Sequence, residues 1–105
     1  MADEQARVRF TPEFLDDVDA YFGRERVGGR PHRADFYNED LPLILQLLAD
    51  DVDGNSFASD VPGERVLVLQ SKFGGYLAVY IRSSDLGLIE LVGLDRDEPT
   101  AATYD

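Results

Sequence analysis

The chain has 105 residues, no Cys and one His, and its 10 Lys and Arg stand against 21 Asp and Glu, a formal charge of −11. That length is enough for one domain with a real core, while the missing Cys excludes disulfide frameworks, thiolate zinc sites and Cys nucleophiles, and the single His excludes His-rich metal centres. The acidity argues against direct nucleic-acid binding, since phosphate contacts need Lys and Arg, and no apolar run approaches the ~20 residues of a membrane span.

Met1-Ala2-Asp3-Glu4-Gln5 lacks the apolar stretch of a secretory leader, so a cytoplasmic location is expected. Residues 1–6 and 98–105 are short polar ends, read as flexible tails on a single domain spanning 7–97. Arg7-Val8-Arg9-Phe10 alternates polar and apolar residues, the pattern of a short strand with Val8 and Phe10 inward. Thr11-Pro12-Glu13 is a helix start, with Thr11 as N-cap and Pro12 at the first helical position. Phe14, Val18, Tyr21 and Phe22, joined by Leu15, then share one helical face. Gly28-Gly29 breaks the chain, and Pro31 opens a second helical pattern. Tyr37, Leu41, Ile44 and Leu48 carry its apolar face, with Ala34, Leu45 and Leu47 beside them. Pro42 sits inside that pattern without a backbone N–H and predicts a kink near Asn38–Leu41. The two helices make an antiparallel hairpin.

Residues 50–64 read as a polar loop with turn signals at Asp53-Gly54-Asn55 and Pro62-Gly63, pinned to the body by Phe57 and Val61. Three strands follow at Arg65–Phe73, Tyr76–Ser83 and Leu88–Asp95, the first two joined through Gly74-Gly75. The fold class is therefore α+β in the order β-α-α-β-β-β. The last three strands form an antiparallel meander, the first strand adds to an edge, and the helical hairpin covers one face.

Alternation turns Leu67, Leu69, Phe73, Leu77, Val79, Ile81, Ile89 and Leu91 toward the helices. The opposite face receives Val66, Val68, Gln70, Lys72, Tyr76, Ala78, Tyr80, Arg82, Leu88, Glu90 and Val92. That face is too apolar for a solvated surface. Unless the 50–64 loop or the C-terminal tail folds over it, Val66, Val68, Tyr76, Tyr80, Leu88 and Val92 are the candidate partner-binding set.

Val8-Arg9-Phe10-Thr11-Pro12-Glu13-Phe14, the helical hairpin after it, Val61 to Val68, Gly75 to Arg82 and Leu91 to Asp97 together resemble the RelE/ParE toxin superfamily. The resemblance spans roughly residues 7–97 and rests on element order and punctuation. It implies a small toxin of a type II toxin–antitoxin pair, as in plasmid stabilization, wrapped and silenced by a cognate antitoxin. RelE-like members cut messenger RNA on the ribosome with Arg, Lys and Tyr and no metal; ParE-like members inhibit gyrase. This chain departs from the nuclease pattern. Leu77 stands where an Arg usually follows the Tyr, Val66–Val68 offer no Lys, and Leu94-Asp95-Arg96-Asp97 replaces a basic run. The missing cations favour protein inhibition, or a lost activity, over RNA cleavage. The alternative is an acidic, non-toxic interaction module on the same scaffold, such as a charge mimic of nucleic acid.

Metal-independent RNA cleavage needs a base, a cation for the phosphorane and an acid for the leaving oxygen. The candidates are Arg82 and Lys72 on the open face, Arg65 and Arg96 at strand ends, and Tyr104 as a displaced counterpart of the family's C-terminal Tyr. Arg24, Arg26, Arg30 and Arg33, with His32, form the one basic cluster and the candidate anion site beside Gly28-Gly29, with charge balance as the plainer reading. No metal site and no cofactor are expected. Asp51-Val52-Asp53-Gly54-Asn55 lacks the ligand spacing and closing Glu of a calcium loop.

Overall fold

In the computed structural model, which describes residues 7–23, 32–83 and 87–97, the chain runs β1 (Arg7–Phe10), α1 (Pro12–Phe22), α2 (Arg33–Asp35), a π-helical segment (Phe36–Asp40), α3 (Leu41–Asp50), β2 (Phe57–Ala58), β3 (Glu64–Gln70), β4 (Tyr76–Ser83) and β5 (Leu88–Asp97). The sheet order is β1-β5-β4-β3-β2. As expected, β3, β4 and β5 form an antiparallel meander and β1 joins its edge. The edge pairing is parallel, Val8 opposite Ile89 and Phe10 opposite Leu91.

Thr11 sets the first corner. Its backbone N–H and its hydroxyl donate to the Leu91 carbonyl at 3.1 and 2.9 Å. The same hydroxyl accepts the Phe14 N–H at 3.3 Å. One residue thus ends β1, caps α1 and ties both to β5.

Phe14, Val18 and Phe22 of α1 meet Ile44 and Leu48 of α3 over Leu67, Leu77, Val79, Ile81 and Leu91 of the sheet, all buried. This is the helix-facing set that alternation specifies. Leu15, expected on the buried face, is 38% exposed. The turn expected at Gly28-Gly29 lies outside the described residues. Its two ends meet: the Arg33 N–H donates to the Gly23 carbonyl at 3.1 Å, and the Arg33 guanidinium pairs with Asp19 at 3.2 Å. His32 caps α2, its Nδ1 accepting the Ala34 N–H at 3.1 Å while the Asp35 carboxylate accepts the His32 N–H at 2.7 Å.

Where the sequence leads one to expect a kink, the structure has the π-helical segment. The Leu41 N–H bonds the Phe36 carbonyl five residues back, next to Pro42, which has no N–H to give. The wide turn brings Phe36 and Leu41 onto one side, and Phe36 is fully buried against Phe14 and Phe22, with ring centroids 6.1 and 5.0 Å away. Asp40 is buried too. It accepts the Ser71 hydroxyl at 2.8 Å and the Lys72 N–H at 2.9 Å, joining the segment to the β3–β4 turn.

The 50–64 region is more than a loop. Phe57 and Ala58 pair antiparallel with Val66 and Arg65, adding the short edge strand β2. Phe57 and Val61 do not pin it, for they are 63% and 53% exposed. Arg65 does, donating to the Ser56 hydroxyl at 2.7 Å and to the Ser56 and Asp53 carbonyls at 2.8 and 3.2 Å. Among the described residues no helix is long and apolar enough to cross a membrane.

Candidate interaction face

Both helical layers lie on one side of the sheet, so β3, β4 and β5 present their other side as an outer face. Phe57, Val66, Tyr80 and Gly93 stand in register across four strands; Val68, Ala78 and Asp95 form the next row, and Gln70, Tyr76 and Asp97 the last. Val68 is 49% and Tyr76 55% exposed, while Val66, Tyr80, Leu88 and Val92 are half-buried. Phe57 joins this surface through its pairing with Val66.

A β-bulge in β5 alters the face. Ile81 pairs with Leu91 but Tyr80 pairs with Gly93, so Val92 is the extra residue. Strict alternation pairs Val92 with Tyr80. The bulge instead turns Leu94 into the core, 1% exposed, and puts Asp95 on the outer face, opposite Ala78. Nothing in the local pattern of Leu91-Val92-Gly93 announces the insertion except the glycine.

Two charged groups organise the outer face. At one end Arg9, Glu90 and Arg82 lie in one cross-strand row. Glu90 is buried, and it accepts both Nε and Nη2 of Arg82 at 3.2 and 3.1 Å and pairs with Arg9. At the other end Asp95 accepts the Tyr21 hydroxyl and the Tyr80 hydroxyl, both at 3.0 Å, one on each carboxylate oxygen. These hydrogen bonds, followed by burial and the Asp95 charge, raise both phenol pKa values above the ordinary value near 10. Tyr21 reaches this face from α1 past the part of β5 that β1 does not cover.

The candidate cations are not gathered at one place. Arg82 is on the outer face, held by Glu90. Lys72 is exposed in the β3–β4 turn, anchored through its backbone to Asp40. Arg65 pairs with the core residue Ile81, and so stands on the helix side of β3. Arg96 also stands on the helix side, since it pairs with Leu77; its guanidinium lies 4.7 Å from the Phe22 ring centre and donates to the Phe73 and Gly74 carbonyls at 3.0 and 3.2 Å. Tyr104 and the cluster residues Arg24, Arg26 and Arg30 lie outside the described residues, and Arg33 pairs with Asp19. Among the described residues no group of three or more His, Asp and Glu side chains is placed to hold a metal ion.

Comparison with protein-family models finds no match, and no curated protein matches. Among solved structures, a chain from one described as the chromosomal ParDE TA system from P. aeruginosa superimposes with a TM-score of 0.59 and 21% identity, over 90% of this chain and 99% of that one. At that identity the likeness carries the fold. The α+β architecture implied by the RelE/ParE resemblance is the architecture of this chain.

Proposed function

We propose that this chain is the toxin-like member of a type II toxin–antitoxin pair, held by a cognate antitoxin, and that it acts on a protein target such as gyrase rather than by cutting RNA on the ribosome. The fold likeness to a chain from a toxin–antitoxin system supports the first part. The Arg82–Glu90 pair carries the second. A scissile phosphate needs a cation free to meet developing charge, and here a buried carboxylate already holds the Arg82 guanidinium. An antitoxin has two natural footholds. One is the apolar outer face. The other is the open edge of β1, beside a groove of about 570 Å³ lined by Val8, Phe10, Pro42, Leu45 and Ala49. On this reading the protein works in the cytoplasm, where such partners would meet it.

The charge of −11 favours a second reading, an acidic, non-toxic interaction module. Expression of the chain alone, and beside any small DNA-binding protein found to be encoded next to it, separates the two. The toxin reading expects growth arrest that the neighbour relieves, with supercoiling lost before translation, and an Arg82→Ala variant that arrests growth like the parent. Unimpaired growth supports the module. Messenger-RNA cleavage that disappears in Arg82→Ala restores the nuclease.

A further inference from the structure

The outer face ends, beside α1, in a cleft of about 340 Å³. Tyr21, Val68, Tyr76 and Ala78 line it, and Asp95 and Asp97 stand with them on β5. The Tyr76 ring and the Val68 side chain are about half exposed there. Each Asp95 oxygen accepts one hydrogen bond from a phenol O–H. A carboxylate oxygen has two acceptor sites, so each keeps one for a further donor, and the phenol oxygens accept as well. Arg96 also borders the cleft, but its guanidinium is stacked over Phe22 and donates to the Phe73 and Gly74 carbonyls.

We propose that this cleft receives an arginine side chain from a protein partner. The flat fork of guanidinium N–H donors suits the carboxylates of Asp95 and Asp97. The plane of the guanidinium lies against the exposed Tyr76 ring, and the methylene stem lies along Val68. The chain's charge of −11 draws a basic segment toward it. The inference rests on the partner reading above for the source of the arginine, while the chemistry of the cleft is testable without that partner.

The test is a titration of isotope-labelled protein with the peptide acetyl-Leu-Arg-Leu-amide and with its citrulline twin, which has the same shape and no charge. The arginine peptide should shift the Ala78, Asp95 and Asp97 amides and the Tyr76 ring signals, and bind about tenfold tighter or more. Asp97 is exposed, so Asp97→Asn should keep the parent's melting temperature and weaken the arginine peptide about threefold or more. Tyr76→Leu should weaken it as well. Equal binding of the two peptides, shifts that map elsewhere, absence of saturation, or variants that bind like the parent would overturn the inference. So would a lysine peptide that binds as tightly, because the fork geometry would then be irrelevant. A chain that fails to arrest growth leaves every one of these outcomes unchanged.

Discussion

The Asp17 carboxylate on α1 accepts the Leu94 N–H at 2.9 Å. β1 pairs with β5 only from Leu88 to Leu91, so the later part of β5 would otherwise present an unpaired edge. A helix side chain closes it, which blunts strand-to-strand association.

Removing that acceptor should therefore matter. Asp17→Ala should destabilise the domain by about 1–2 kcal/mol, since the Leu94 N–H loses its partner. Asp17→Asn keeps an acceptor oxygen and should lose less. Urea unfolding of the three proteins, with dimer content by light scattering, reads both effects. An Asp17→Ala variant as stable as the parent would mean that water replaces the contact at no cost.

The bulge makes a second prediction. Leu94 is 1% exposed and Leu15 is 38% exposed, although helical spacing puts Leu15 on an apolar face. Leu94→Ala should cost about 2–5 kcal/mol, and Leu15→Ala about 0.5 kcal/mol or less. Equal losses would show that β5 runs without the bulge.

Alkaline pH should loosen the grip of α1 on the outer face. Tyr21 and Tyr80 are raised above 10 in the folded chain, chiefly by their hydrogen bonds to Asp95. A raised folded pKa stabilises fully below the unfolded value near 10, and that stability is lost as pH rises through the folded value. The melting temperature should thus fall as pH climbs above 10. Replacing both tyrosines with Phe should shrink that fall without abolishing it, because burial also raises Tyr37. Two fewer late-titrating phenolates should appear in the ultraviolet titration. A double variant with the parent's alkaline profile would sink the assignment.

Partner binding should split into two kinetic effects. Attraction to a chain of charge −11 fades beyond ~8 Å at physiological salt, so the association rate should fall as salt rises. Tyr80→Ala should instead raise the dissociation rate, since truncating a buried aromatic anchor commonly costs ~2 kcal/mol or more. Surface plasmon resonance at two salt concentrations reads both. An association rate indifferent to salt, or an unchanged dissociation rate for Tyr80→Ala, puts the partner on another face.

Much of the fold was legible because its causes are local. The Thr11-Pro12 cap depends on one side chain and the next turn. Leu77, Val79 and Ile81 face the core because successive strand residues point to opposite sides. Pro42 points to an irregularity near Asn38–Leu41 because its missing N–H acts within one turn, and the structure takes it up as the π-helical segment.

The site was less legible because its causes are relational. Arg82 reads as a free cation until Glu90 and Arg9 stand in register beside it. Phe57 reads as a loop anchor until β2 pairs with β3 and leaves it exposed. Asp95 reads only as part of a run that replaces a basic one until the bulge and the path of α1 bring two phenols to it. Composition and local periodicity determined the α+β class, its core strands and its acidity. Strand register, the inserted Val92 and the placement of α1 decided which charges are paired and which face is open, because side chains far apart in the chain meet only after the sheet has formed.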